Sequence, residues 1–189
     1  VSNGSEDGSM TFNTFVAGTS TNVMSISGGK VGIGTTAPDQ KLHVMKASAG
    51  SIDSDSNSVL TIENDDTAAL SIFTPEANNG FIVFGNPTDG NADGKIGYLN
   101  ETRDMTFSTE ATERIRILGD GKVGIGTTAP GYNLVVAGSG NSIVQIHAGA
   151  TSFSSLYFGD SGAAYAGLIQ YYHNENYLDF YTTATQRMR

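Results

Sequence analysis

The ten residues GKVGIGTTAP occur twice in this chain, letter for letter, at positions 29–38 and 121–130. Such an identity within 189 residues marks an internal repeat, which has to be settled before any fold is read. In the first copy Val31 and Ile33 alternate with Gly32 and Gly34, so one face of the segment is apolar and the other is bare backbone. Val123, Gly124, Ile125 and Gly126 repeat the arrangement. Glycine inside a strand pattern signals a bulge or a close approach by another backbone. Pro38 and Pro130 end the strand, because proline withholds a ladder donor and keeps the residue before it out of helix. A phosphate loop is excluded, since neither GxxxxGK[ST] nor GxGxxG opening a helix is present.

Outward from the two copies the match continues. KLHV at 41–44 answers to NLVV at 133–136, and NSVLTI at 57–62 to NSIVQI at 141–146. IVFG at 82–85 answers to LYFG at 156–159, and residues 94–116 answer to 167–189, ending ATERIR and ATQRMR. These segments alternate with period two and read as short strands, as do residues 10–14 and 23–27. Ile96 and Tyr98 match Ile169 and Tyr171, while Met105 and Phe107 match Leu178 and Phe180. With polar tips at 101–104 and 174–177, this is a β-hairpin carrying an apolar stripe on both strands. Leu60 and Ile62 are expected to face inward, and Thr61 and Glu63 to face water.

The predicted fold class is therefore all-β, built of repeated short strands and hairpins. Residues 1–27 are expected to end an upstream repeat unit. The first glycine connector is 28–44 and the first β-module 45–118. The second connector is 119–136, and 137–189 is a second module, truncated where Ile-Leu-Gly-Asp and another connector are due. Small short-stranded sheets are marginal alone. Each module must stack on its neighbours or interleave with identical chains.

Composition narrows the function classes. The eight Tyr, nine Phe and many β-branched residues oppose disorder. A net charge of -9 with scattered Lys and Arg opposes a nucleic-acid groove. No cysteine is present, which excludes a disulfide framework and thiolate metal sites. No apolar run is long enough to span a membrane.

The connector and the strand after it, residues 31–44 and 123–136, resemble the VGIGTTxPxxKLxV repeat of bacteriophage tail fibres and related surface proteins. Repeats of that kind precede an endosialidase-type, self-cleaving intramolecular chaperone. The RIR and RMR strands, 114–116 and 187–189, resemble the segment that leads into it. The second copy departs after its proline, with Gly131, Tyr132 and Asn133 in place of Asp39, Gln40 and Lys41. The resemblance implies an elongated, interleaved homotrimeric fibre on a virion tail, outside the cell. It also implies attachment to a host surface receptor, with carbohydrate as one receptor class. Near a three-fold axis side chains must be small, so Gly32, Gly34, Gly124 and Gly126, closed by Pro38 and Pro130, are the expected connector residues there.

Other candidate sites are isolated. Asp89, Asn91 and Asp93 fit the first half of a calcium loop, DxNxDG. The closing glutamate is misplaced, because position twelve is Asn100 and Glu101 follows it; a solvated turn is the competing reading. No other cofactor is expected. His43, His147 and His173 lie singly, without metal-ligand spacing. Among the aromatic residues of the last module, Tyr172 and Tyr177 fit the inward stripe least and are the candidates for carbohydrate contact. No catalytic motif is present, and no enzyme is expected. The functional expectation is a structural and adhesive tail-fibre segment whose partners are itself and a host receptor, not nucleic acid or a membrane. The alternatives are a bacterial adhesin or extracellular filament subunit, and a polysaccharide-degrading tailspike segment.

Overall fold

The structure, a computed structural model, describes residues 8–189 except Asp53, Asp89, Ala164, Tyr165 and Ala184, and leaves out the side chains of Val16, Asn91 and Ala92. The first two candidate calcium ligands, the polar start at 1–7 and the acidic Asp53 thus lie outside the described residues. The chain is all-β, with no helix among the described residues. It divides into two compact units, residues Val1–Phe73 and Thr74–Arg189.

The first unit holds one sheet of five strands in sequence order. These are β1 (Met10–Val16), β2 (Thr19–Ser27), β3 (Lys30–Ile33), β4 (Leu42–Met45) and β5 (Leu60–Glu63). The first three run antiparallel, while β3, β4 and β5 are parallel. Met10, Ile26, Val31, Leu42 and Leu60 form one row across all five strands, and Phe12, Met24, Ile33, Val44 and Ile62 another. Residues two apart on a strand share a face, so both rows lie on the same side. Between them, on the opposite side, run Thr11, Ser25, Gly32, His43 and Thr61.

The second unit holds two sheets. One contains β6 (Gly80–Asn86), β7 (Gly90–Leu99), β8 (Asp104–Thr109), β9 (Thr112–Ile117), β10 (Val123–Ile125) and β11 (Leu134–Val136), again in sequence order. Only β10 and β11 are parallel. Its apolar rows are Tyr98, Met105, Ile117, Val123 and Leu134, then Ile82, Ile96, Phe107, Ile115, Ile125 and Val136. The other sheet is an antiparallel meander of β12 (Phe153–Phe158), β13 (Gly167–Tyr172), β14 (Tyr177–Thr182) and β15 (Thr185–Met188). Leu156, Ile169, Phe180 and Met188 form its apolar row.

The repeat is visible as one bulged hairpin occurring three times. The register shifts after Phe12 opposite Met24, after Phe107 opposite Ile115, and after Phe180 opposite Met188. In the first two copies the hairpin turn has positive φ at both central residues, 51° and 82° at Ala17 and Gly18, and 49° and 54° at Glu110 and Ala111. That is the mirror-image turn whose twist matches paired strands. A side chain there costs about 1 kcal/mol. Ala111→Gly is therefore expected to raise the thermal midpoint by about 2–4 °C, measured by calorimetry.

Among the described residues no aliphatic or aromatic core side chain is buried, whereas Pro130 and the polar Ser25, Thr35, His43, Glu63, Asp104, Thr106 and Asp179 are. The covered side of each sheet is its polar side. The apolar rows are only partly covered: Ile26, Leu42 and Ile115 are half-buried, while Phe12 is 50% and Leu134 61% exposed.

One expected strand is absent. Residues 141–146 pair with nothing, although their counterpart ends in β5. Ile143, Val144 and Ile146 are exposed there, as are Leu70, Ile72 and Phe73 in another unpaired stretch. The alternation is present, but the chain supplies no neighbouring edge for it.

Candidate functional site

The two connectors fold alike. After β3 and β10 the chain turns through residues 34–41 and 126–133, then returns parallel to the strand it left. Parallel neighbours ordinarily need a crossover of about a dozen residues or more. Glycine makes the shorter return feasible. Gly34 and Gly126 have φ of 77° and 74°, and a Cβ on either would strike a backbone carbonyl, that of Met45 or of Ala137. At Gly32 and Gly124 a Cβ would strike the carbonyl of Thr35 or Thr127. Every one of these close approaches lies within a single chain. The glycines have a local reason, independent of any axis between chains.

Backbone bonding repeats as well. The Gly34 N–H donates to Val23 O at 3.0 Å, and that of Gly126 to Arg114 O at 2.9 Å. Val31 and Val123 donate to Lys41 O and Asn133 O, both at 2.9 Å. The Thr35 and Thr127 hydroxyls accept from the Ala37 and Ala129 amides at 3.1 and 3.3 Å, fixing the turn ahead of each proline.

What surrounds each connector differs. In the first, the Ser25 hydroxyl donates to Thr35 O at 2.8 Å. His43 and Glu63, 2% and 7% exposed, lie beneath the loops. The His43 Nε2 sits 2.8 Å from Glu63 Oε2 without making a straight hydrogen bond. Its Nδ1 accepts the Asp39 amide at 3.3 Å. Glu63 Oε1 accepts the Ala49 amide at 2.6 Å. That bond above all holds its carboxyl below the ordinary glutamate value of 4.5, with Ser48 and His43 adding to the effect against the opposing pull of burial. Glu63 thus does not face water as expected from the sequence, because residues 46–50 fold over that side of the sheet. A cavity of about 310 Å³ adjoins the pair, lined in part by Thr35, Asp39, Ser48 and Ser51.

Around the second connector the anchor is Asp104. It was expected in a polar tip, but it opens β8 and is 3% exposed. Its Oδ1 accepts the Gly119 amide at 2.9 Å and its Oδ2 the Arg116 guanidinium at 3.0 Å. Arg116 also binds Glu113 at 2.7 Å. Glu113 first, then Asp104, raises the Arg116 pKa above the usual arginine value. Nothing in the local pattern separates a buried aspartate from a turn aspartate, and only its partners do.

The remaining candidates are placed as follows. Asp93 lies within β7, and its carbonyl accepts the Ala111 amide at 2.9 Å. No cluster of three His, Asp or Glu side chains comes together among the described residues. Tyr172 and Tyr177 are cross-strand neighbours. Phe153 stacks on Tyr172 at 4.4 Å, Tyr177 meets Tyr172 edge-on at 5.4 Å, and the Arg189 guanidinium lies 3.5 Å over the Tyr177 ring. These contacts already cover ring surface on which a sugar would stack. The histidine at 173 meets the Ser154 hydroxyl at 2.8 Å. No carboxylate orients its other nitrogen among the described residues, so the third member of an acyl-transfer triad is not in place.

The chain matches no protein-family model and no curated protein. Both connectors share the same backbone contacts and a glycine at positive φ, at Gly34 and at Gly126.

The pinned Glu63 sets a pH dependence. Its folded pKa lies below 4.5, so it contributes stability above that pH and loses it as pH falls through the folded value. Urea midpoints taken from pH 6 to pH 3 are expected to fall less steeply for Glu63→Gln than for the unaltered chain. Parallel curves would show that Glu63 is not the group responsible.

Proposed function

We propose that the chain is a structural and adhesive segment of a bacteriophage tail fibre, a shaft in which three copies interleave and present host-surface contacts on exposed loops. The observation that carries this reading is the largely exposed apolar side of every sheet. Rows of Val, Ile, Leu, Met and Phe cross five and six strands, with no second sheet layered on them within either unit among the described residues. A sheet hydrophobic on one face must bury it against another element. Contiguous exposed apolar surface on this scale marks an interaction site. Identical chains offer identical faces, which makes self-association the economical cover. Unpaired but strand-patterned segments, 70–73 and 141–146, fit interleaving, because a neighbouring chain can supply the edge they lack.

The number three and the virion setting rest on the resemblance of the connectors to tail-fibre repeats. Light scattering on the purified chain tests the count. The expected mass is three times 19.8 kDa. A mass of one chain would overturn the assembly, and a mass of two would overturn the trimer.

A further inference from the structure

One edge inside the second unit lacks the strand that its counterpart carries. In the first unit β4 holds β5 parallel to it, with Leu42 opposite Leu60, His43 opposite Thr61 and Val44 opposite Ile62. β11 matches β4, and residues 141–146 match 57–62, the stretch that enters β5. Yet β11 ends its sheet, and 141–146 lie beside no strand, with Ile143, Val144 and Ile146 exposed. The links differ as well. Residues 46–59 lead from β4 to β5, whereas only 137–143 lead from β11 to the matching stretch. Neither Gly138 nor Gly140 has the positive φ with which Gly34 and Gly126 open the two tight returns. The chain therefore runs on past its own β11 edge. A shortened link between matching elements favours their exchange between identical copies.

We propose that residues 143–147 of a second copy of this chain dock on the open edge of β11 as an added parallel strand. The proposal rests on the assembly of copies proposed above and says where one copy completes another. An open sheet edge is a template for strand addition. The internal match names the occupant, because this stretch has the strand alternation, the matching register and no neighbouring strand in its own chain among the described residues. The register of β4 and β5 carries over, placing Leu134 opposite Val144, Val135 opposite Gln145 and Val136 opposite Ile146. Val144 and Ile146 then extend the two apolar rows that end at Leu134 and Val136. The backbone bonds carry over too. The Leu42 amide donates to Val59 O at 2.9 Å, and the Lys46 amide to Glu63 O at 3.1 Å. In the same way the Leu134 amide donates to Ile143 O of the second copy, and the Gly138 amide to its His147 O. Each copy gives one strand and receives one.

The chain has no cysteine, so introduced thiols report this contact alone. Paired strands lie about 4.8 Å apart, within the span of a disulfide. The full chain carrying both Val135→Cys and Gln145→Cys is oxidised under native conditions and run on a denaturing gel without reductant. Most of the material is expected to move from the single-chain band to bands of linked chains, while each single variant stays at one chain. Val135→Cys with Val144→Cys, one residue out of register, is expected not to link. Equal linking by that pair or by either single variant overturns the proposal. A link within one chain, read by peptide mass mapping, overturns the second copy as the partner. Native mass is measured on the unaltered chain and on each variant. Assembled variants without a link overturn this edge alone, whereas a single-chain mass for the unaltered protein overturns the assembly and this docking together.

Discussion

Gly34→Val and Gly126→Val are each expected to unmake the connector that carries them, at a cost above about 3 kcal/mol. Two effects combine. A β-branched residue is a steric outlier at φ of 77° or 74°. Its Cβ also meets a backbone carbonyl, of Met45 or Ala137, which cannot swing aside as a side chain would. Both carbonyls belong to the residue that ends or follows the returning parallel strand, so relief means losing the pairing of β3 with β4 or of β10 with β11. Gly121→Ala supplies the comparison. It has φ of 89° but open space around it, so only backbone strain applies, about 1 kcal/mol. Chemical denaturation of the three variants measures the difference. Equal small losses in all three would show that the carbonyl contacts do not set the requirement for glycine.

Phe12→Asp and Phe107→Asp are expected to dissociate the proposed assembly. Both side chains sit in apolar rows, 50% and 37% exposed in the single chain. On a free surface such a change alters stability by within about 0.5 kcal/mol. Within a buried apolar face, an unpaired carboxylate costs several kcal/mol. The contrast makes the experiment decisive, because the same substitution is nearly silent in one arrangement and disruptive in the other. Sedimentation gives the mass, which is expected to fall to that of one chain. An unchanged mass for both variants would show that these rows are not the contact.

Much of this architecture was legible from alternation and from the internal match. The pairs Met105 with Phe107 and Leu178 with Phe180 do lie in equivalent strands, and the turn glycines sit where the chain turns. The covered side was not legible. Leu60 and Ile62 lie on the apolar side as expected, but that side is largely exposed, while Glu63 and His43 are enclosed. Periodicity tells which residues share a face, not which face a loop will cross. Residues 141–146 show the same gap. Their pattern asks for a neighbouring strand, and only three-dimensional pairing shows that the chain does not provide one. The glycines have a reason within the chain that alternation did not show: a carbonyl eleven residues ahead of Gly34 and Gly126, and three ahead of Gly32 and Gly124, meets any side chain there.

Strand order has a consequence for how the molecule is made. In all three sheets each strand pairs with the next in sequence, even where the pair is parallel. The parallel partners Val31 and Leu42, or Val123 and Leu134, are only eleven positions apart. Short closures form early, and chains dominated by them fold fast. Each strand can therefore find its partner without waiting for distant residues still to be translated, although a lone sheet stays marginal until its apolar face is covered. Strand pairing can thus follow the order of synthesis, and in the proposed fibre the covering of the apolar faces would come last, as a step between chains.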